Sequence, residues 1–217
     1  MKVPISALLS MGMGDRLILV DHEGTIVDGD EILFIIASAR RAQGELRGPV
    51  VGTLMTNLGL AHALAPVGVE LKRASVGDRY VMEMMLAHDS TLGGESSGHI
   101  ICRDRIPTGD GIVAALQVME AMRASEKSLK DLRCGMDKYP QTLVNVRTRE
   151  RVNPNQMESV LALKAEVERE LGGQGRVLLR SSGTEPLVRV MVEGADGDKV
   201  KQLAERLADA VRDALEE

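Results

Sequence analysis

From residue 49 onward, short apolar runs alternate with stretches of helical periodicity, and that alternation narrows the fold more than any other feature of the chain. Pro49 to Thr53 and Glu70 to Ala74 read as strands, whereas Asn57 to Leu64 and Asp78 to His88 carry helical spacing. Strand-helix-strand order of this kind predicts an α/β domain with a mainly parallel sheet. Ahead of it, Leu17 to Val20 and Thr25 to Val27 flank Asp21-His22-Glu23-Gly24, a β-hairpin pattern with glycine at the turn. Asp28-Gly29-Asp30 then precedes a helix from about Glu31 to Ala42, where the aspartates suit the N-cap and the positive end of the dipole. Thr91 to Gly94 and His99 to Arg103 read as strands around a glycine-rich loop, Asp110 to Ala124 as an amphipathic helix, and Leu129 to Cys134 as a short helix.

The pattern changes at Lys138-Tyr139-Pro140-Gln141, where proline restricts its predecessor and marks a boundary. Beyond it come a strand at Leu143 to Arg147, a helix at Gln156 to Leu171, strands at Arg176 to Leu179 and Leu187 to Val192, and a helix at Lys199 to Leu215. Val200, Leu203, Leu207, Val211 and Leu215 fall on one face of that last helix and predict a buried stripe. The expected fold class is therefore one mainly parallel α/β domain, residues 28–138, followed by a smaller α+β domain of order β-α-β-β-α, residues 139–217. Residues 1–27 are set apart as a leading segment.

Composition excludes several classes of function. With one Phe, two Tyr and no Trp in 217 residues, the core is left to aliphatic side chains and Met, and stacking platforms for bases are scarce. A net charge of −5 lacks the basic surface a general nucleic-acid binder needs. Cys102 and Cys134 sit in neither a CxxC pair nor a Cys/His cluster, which points to a reducing compartment. The longest apolar stretches, such as Ile32 to Ala37 and Ile112 to Leu116, fall far short of the roughly 20 residues that span a bilayer. Met1 to Gly14 loosely imitates a secretory leader but contains a proline and lacks a small-residue cleavage site, so a cytoplasmic location is expected.

Arg180-Ser181-Ser182-Gly183-Thr184-Glu185-Pro186, with Arg189 three residues on, joins two apolar strands. Two guanidinium groups, three hydroxyls and a glycine that frees nearby backbone N–H groups make a cradle for a phosphate. The same residues are ordinary turn formers, and an arginine at a strand end is often merely solvated. Gly93-Gly94-Glu95-Ser96-Ser97-Gly98-His99 places a carboxylate, hydroxyls and an imidazole on a flexible loop, a donor and acceptor mixture that suits a polyhydroxylated ligand. A capping Glu and a surface His explain that loop equally simply. Thr108-Gly109-Asp110-Gly111 and Gly77-Asp78-Arg79 read as helix starts with Asp110 and Asp78 near the caps.

Taken together, the motifs resemble the phosphoglucosamine mutase family of the α-D-phosphohexomutase superfamily. The matching stretches are Gly14-Asp15-Arg16, Val20 to Gly24, Val27 to Asp30, Val51 to Met55, Val76 to Val81, Gly94 to His99, Thr108 to Val113 and Arg180 to Val192, in collinear order. The resemblance implies interconversion of glucosamine 6-phosphate and glucosamine 1-phosphate on the route to UDP-N-acetylglucosamine and the cell wall. It implies that Glu95 and Ser97 hold sugar hydroxyls, with His99 completing their loop. It further implies that Arg180, Ser181, Ser182, Gly183, Thr184 and Arg189 grip the non-reacting phosphate.

The same resemblance marks departures. Members of the family have four domains, and residues 1–27 correspond to the end of the second, 28–138 to the third and 139–217 to the fourth. The phosphoryl-donating serine of the first domain lies in a Ser-His-Asn-Pro signature that does not occur in this sequence. The family's magnesium loop reads Asp-Gly-Asp-Gly-Asp-Arg; here Met11 and Met13 replace two aspartates and only Asp15 remains. Magnesium prefers hard oxygen ligands, so the expectation is a truncated chain that holds no catalytic Mg²⁺ and is inactive alone. It would act as a noncatalytic phosphosugar-binding module or would complete a split mutase with a separately encoded N-terminal half. Without that half, Leu17 to Val27 is expected to lack a sheet to join, exposing an edge and promoting disorder or self-association over the first 20 residues.

Overall fold

The computed structural model of the chain describes residues 7–11, 14–182 and 185–215, with side chains from residue 14 onward. It divides into two compact units, residues 1–138 and 139–217. Unit 1 opens with β1 (Ala7–Met11), β2 (Arg16–Val20) and β3 (Ile26–Val27), an antiparallel sheet in that order. Its second sheet runs β5 (Leu71–Ala74), β4 (Val50–Thr53), β6 (Leu92–Gly94), β7 (Ile100–Cys102), with β4 parallel to both neighbours and β7 antiparallel to β6. Helices α1 (Gly29–Gln43), α2 (Leu58–Leu64), α3 (Asp78–Ala87), α4 (Gly111–Ser125) and α5 (Leu129–Arg133) complete the unit.

Period-2 alternation sends apolar residues of this sheet to both of its faces. Val50, Leu92, Ile100 and Cys102 join the cluster built by α1, α2 and α4, whereas Val51, Ala74 and Ile101 join a second cluster with Val81 and Met85 of α3. Both faces of the sheet are thus buried. Helix starts follow local chemistry. Asp28 caps α1 in a reciprocal capping box with Glu31, Asn57 caps α2, and Asp110 caps α4 by accepting from the Ile112 and Val113 amides at 2.8 and 2.9 Å.

The expectation that Leu17 to Val27 would lack a sheet and expose an apolar patch is corrected for Leu17, Leu19 and Val27, whereas Ile26 does stand exposed. Leu17, Leu19 and Val27 are fully buried in the core of α1 and α4, and β1 pairs with β2 along its length. The reason is geometric: alternate residues of β2 point at the helices, so the hairpin caps an apolar surface of unit 1 itself. No strand was expected at residues 7–11, where the sequence read as a leader-like patch.

A partly buried ion network ties this hairpin to the end of the unit. Arg133 donates to Asp21 at 3.3 Å and to Glu31 at 3.1 Å, and Lys138 lies 2.7 Å from Asp28 and 2.8 Å from Glu31. Asp21 has no exposed surface. Burial alone would raise its carboxyl, but hydrogen bonds from the Thr25 and Glu23 amides and from Arg133 outweigh that and hold it below the ordinary 3.8. A folded-state value below the unfolded one stabilises the fold above about 3.8, and the contribution disappears as pH falls through the folded value. We therefore expect Asp21→Asn to flatten the acid limb of a stability-against-pH curve below pH about 4. An acid limb identical to that of the wild type would show that Asp21 is not the titrating group.

Unit 2 is a three-stranded antiparallel sheet, β8 (Gln141–Arg147), β10 (Leu187–Gly194) and β9 (Gly175–Ser181) in that spatial order, with α6 (Glu158–Leu171) and α7 (Gly197–Asp213). Val146, Val177, Leu179, Val188, Val190 and Val192 present one apolar sheet face to the helices. The predicted stripe of α7 is buried through Val200, Leu203, Leu207 and Val211, with Leu215 packed against the cluster beyond the helix end. The observed element order is the expected α/β followed by α+β.

Candidate functional site

In unit 1 the loop between β6 and β7 is built by backbone bonds and close packing. The Glu95 amide donates to the His99 carbonyl at 3.0 Å and the Gly98 amide to the Glu95 carbonyl at 3.0 Å, closing the turn. Two sutures fix it to the rest of the unit: Gly29 N–H to the Ser96 carbonyl at 3.1 Å and Leu17 N–H to the Gly98 carbonyl at 2.9 Å. Gly98, at φ +90°, lies so close to Leu17 that an added Cβ would fall 2.2 Å from its carbonyl oxygen.

The three candidate residues of this loop sit in different environments. Ser97 is exposed. Glu95 is half-buried and accepts from the Gly77 amide at 3.0 Å through Oε1, leaving Oε2 without a partner among the described residues. His99 is buried; its Nδ1 lies 3.4 Å from Asp15 Oδ2, and its ring packs against Gly109, where a Cβ would come within 2.2 Å of Nε2. Gly111 N–H donates to the Gly14 carbonyl at 3.0 Å, so the Asp15, His99 and Asp110 segments converge on one side of unit 1. Asp110 and Asp78 act locally: the first caps α4 and the second accepts from the Arg79 amide next to it. The Gly77 amide, which holds Glu95, has no role assigned to it by the sequence alone, although it stands at a helix start within the matching stretch Val76 to Val81.

In unit 2, Arg180 on β9 and Arg189 on β10 are directly opposed in the ladder and project from the same face, the one away from Val188 and Val190. Asn145 on β8 continues the row on the other side of Arg189. Like charges directly opposite one another destabilise a sheet, so this pairing asks for a counter-charge. Nε of both arginines is buried without a hydrogen-bond partner among the described residues. Burial, and next the Arg189 charge, push the Arg180 guanidinium below its ordinary value. A dianion with several acceptor oxygens satisfies both deficits at once, offering charge and acceptors to two planar forks.

The neighbouring hydroxyls are held in place. Ser181 Oγ donates to the Val152 carbonyl at 2.5 Å, and Ser182, 3% exposed, accepts from the Glu185 amide at 3.3 Å through Oγ. Gly183 and Thr184 lie outside the described residues. So does Met13, and Met11 is described for its backbone alone. Among the described residues no group of three or more His, Cys, Asp or Glu side chains is gathered as a metal site, and no helix is long and apolar enough to cross a membrane. Cys102 is buried, and desolvation pushes its thiol up to about 11, so it stays protonated near neutrality.

Residues 28–139 match the phosphoglucomutase/phosphomannomutase family's alpha/beta/alpha domain III, and residues 143–210 match its C-terminal domain. The chain is 66% identical over 204 residues to the phosphoglucosamine mutase of Methylococcus capsulatus, an alignment covering 94% of this chain and 46% of that protein. It is 54% identical over 197 residues to the phosphoglucosamine mutase of Marinobacter nauticus, covering 91% and 44%. The chain thus spans a little under half the length of these relatives. In fold it is similar to the crystal structure of Aspergillus fumigatus N-acetylphosphoglucosamine mutase in complex with GlcNAc-6P and magnesium, with a TM-score of 0.74, 23% identity, and coverage of 92% of this chain and 50% of that one. With both domain matches and these identities in hand, the chain belongs to the phosphoglucomutase/phosphomannomutase family, of which it carries domains III and IV.

Proposed function

We propose that this chain belongs to the hexosamine-phosphate chemistry of its relatives, with Arg180, Ser181, Ser182, Gly183, Thr184 and Arg189 of unit 2 as a grip for the non-reacting phosphate and Glu95 and Ser97 of unit 1 as a grip for sugar hydroxyls, each unit considered by itself. The observation that carries the reading is the opposed Arg180 and Arg189 pair with two buried, unpartnered Nε atoms. The relatives named phosphoglucosamine mutase supply the substrate class. Glu95 spends one oxygen on the Gly77 amide and keeps the other for a hydroxyl, while His99, held by Asp15 and seated on Gly109, shapes the loop. Calorimetric titration with glucosamine 6-phosphate is expected to show saturable binding; no heat from the folded protein rejects the proposal.

The residues present do not fit a magnesium cage. Asp15 brings one carboxylate, already turned toward His99, and the two residues that would complete a hard-oxygen set are methionines, whose sulfur is a poor ligand for Mg²⁺. The Ser-His-Asn-Pro signature is absent from the sequence as well. Phosphoryl transfer depends on positioning and on cationic neutralisation of the transferring oxygens, so the chain by itself is read as a noncatalytic phosphosugar-binding module. Purified protein supplied with Mg²⁺ is expected to give no conversion of glucosamine 6-phosphate to glucosamine 1-phosphate, and steady turnover would overturn this.

A second reading rests on coverage, because the chain matches domains III and IV and spans 46% of the Methylococcus capsulatus protein. In it, a separately encoded N-terminal half docks here and supplies the serine. Mixing the chain with such a half from a relative should then restore turnover, and restoration should depend on the Arg180 pair.

A further inference from the structure

Where β8 runs into the 148–153 loop, unit 2 gathers positive charge that the phosphosugar reading does not use. Arg147 ends β8 opposite Leu187, and thus lies on the same sheet face as Arg189 and Arg180, one diagonal step from Arg189. Diagonal neighbours in a sheet stand about 7–8 Å apart, within reach of long side chains, so what sets Arg147 apart is the cavity it borders, which neither Arg180 nor Arg189 lines. Arg147, Thr148, Arg149, Glu150 and Arg212 line a cavity of about 580 Å³. That volume falls inside the range of about 300–1,000 Å³ typical of small-molecule sites.

The charge balance of the cavity singles out two residues. Arg212 is tied to Asp209 on its own helix, and Glu150 adds one negative charge to the wall. The guanidinium groups of Arg147 and Arg149 have no hydrogen bond or ion pair among the described residues. The loop that carries them is already fastened. Thr148 N–H donates to the Pro186 carbonyl at 2.9 Å, Thr148 Oγ1 donates to the Glu150 carbonyl at 2.6 Å, and Val152 accepts from Ser181 Oγ at 2.5 Å. A ligand arriving there pays little to order the backbone.

We propose that Arg147 and Arg149 form a second oxyanion site, separate from the Arg180 and Arg189 pair, for a phosphate group of an anionic small molecule. The site goes beyond the phosphosugar reading and does not depend on it. The test is a titration of the full chain with inorganic phosphate, followed by backbone amide NMR, against a chloride titration of matched ionic strength. The amides of residues 148–150 are expected to shift and saturate with phosphate and not with chloride. In the Arg147→Ala, Arg149→Ala double variant those shifts should weaken at least about tenfold in affinity, while Arg180→Ala leaves them in place. Both substituted side chains are exposed, and the wild-type titration is decisive even if a variant misfolds. Unmoved amides at 148–150, equal shifts with chloride, or shifts that persist in the double variant each overturn the proposal, whatever happens at Ser182 and Glu185.

Discussion

Replacing Arg180 by alanine is expected to weaken binding of glucosamine 6-phosphate by about 10- to 100-fold, because a hydrogen bond to a charged group is worth about 1.5–3 kcal/mol and each 1.4 kcal/mol is tenfold. The same substitution should not destabilise unit 2. Arg180 faces Arg189 across the ladder with a buried, unpartnered Nε, so its removal relieves repulsion and an unsatisfied donor. Relief of a like-charge cross-strand pair is worth about 0.2–1 kcal/mol, which predicts a melting temperature equal to or slightly above the wild type. Arg180→Lys should retain the charge but lose the forked geometry, giving intermediate affinity. The informative measurement is calorimetry beside thermal unfolding. A variant that binds normally but melts several degrees lower would mean that these arginines hold the sheet together and grip no ligand.

The second large effect is expected at Gly29, which opens α1 against the loop between β6 and β7. A Cβ there would fall 2.0 Å from the Glu95 carbonyl oxygen and 2.8 Å from the Gly98 amide nitrogen, and both obstacles are backbone. A flexible side chain could swing aside, but a loop closed by its own hydrogen bonds must move as a whole. Overpacking costs typically about 1–3 kcal/mol, and rigid neighbours place Gly29→Ala at or above the upper end. A loss of about 3 kcal/mol corresponds to a fall of about 6–12 °C in Tm for a unit of this size. The displaced loop would also break the Gly29 to Ser96 hydrogen bond and carry Glu95 off the Gly77 amide. Unchanged melting together with unchanged amide resonances at Glu95 and Gly98 would contradict this account.

Much of the architecture could be read along the chain because its causes are local. Asp28 with Glu31, Asn57 and Asp110 announce helix starts through bonds spanning two or three residues. The α7 stripe follows from one helical period, and the Asp21 to Gly24 turn from two bonds between the Asp21 carboxylate and nearby amides. Strand β1 escaped notice because five residues with no regular alternation become a strand only by pairing with β2. Leu17 and Leu19 were expected at an exposed edge for the same reason: what covers them, α1 and α4, lies ten to a hundred residues further along the chain.

For the candidate site the division is sharper. The motif from Arg180 to Arg189 reads along the chain as a candidate phosphate cradle, and the direct opposition of the two arginines exists only in the register of β9 against β10. Likewise His99 is visible as a loop histidine, but its burial against Gly109 depends on how two loops pack, and its approach to Asp15 requires segments more than 80 residues apart to meet. Sequence alone determined family membership, the order of elements from β2 onward and the residue types available for chemistry, since these depend on spacing and on neighbours within a few positions. Tertiary structure decided which atoms are already occupied and which are left wanting a partner, because ladder register and close packing are set by residues remote in the chain.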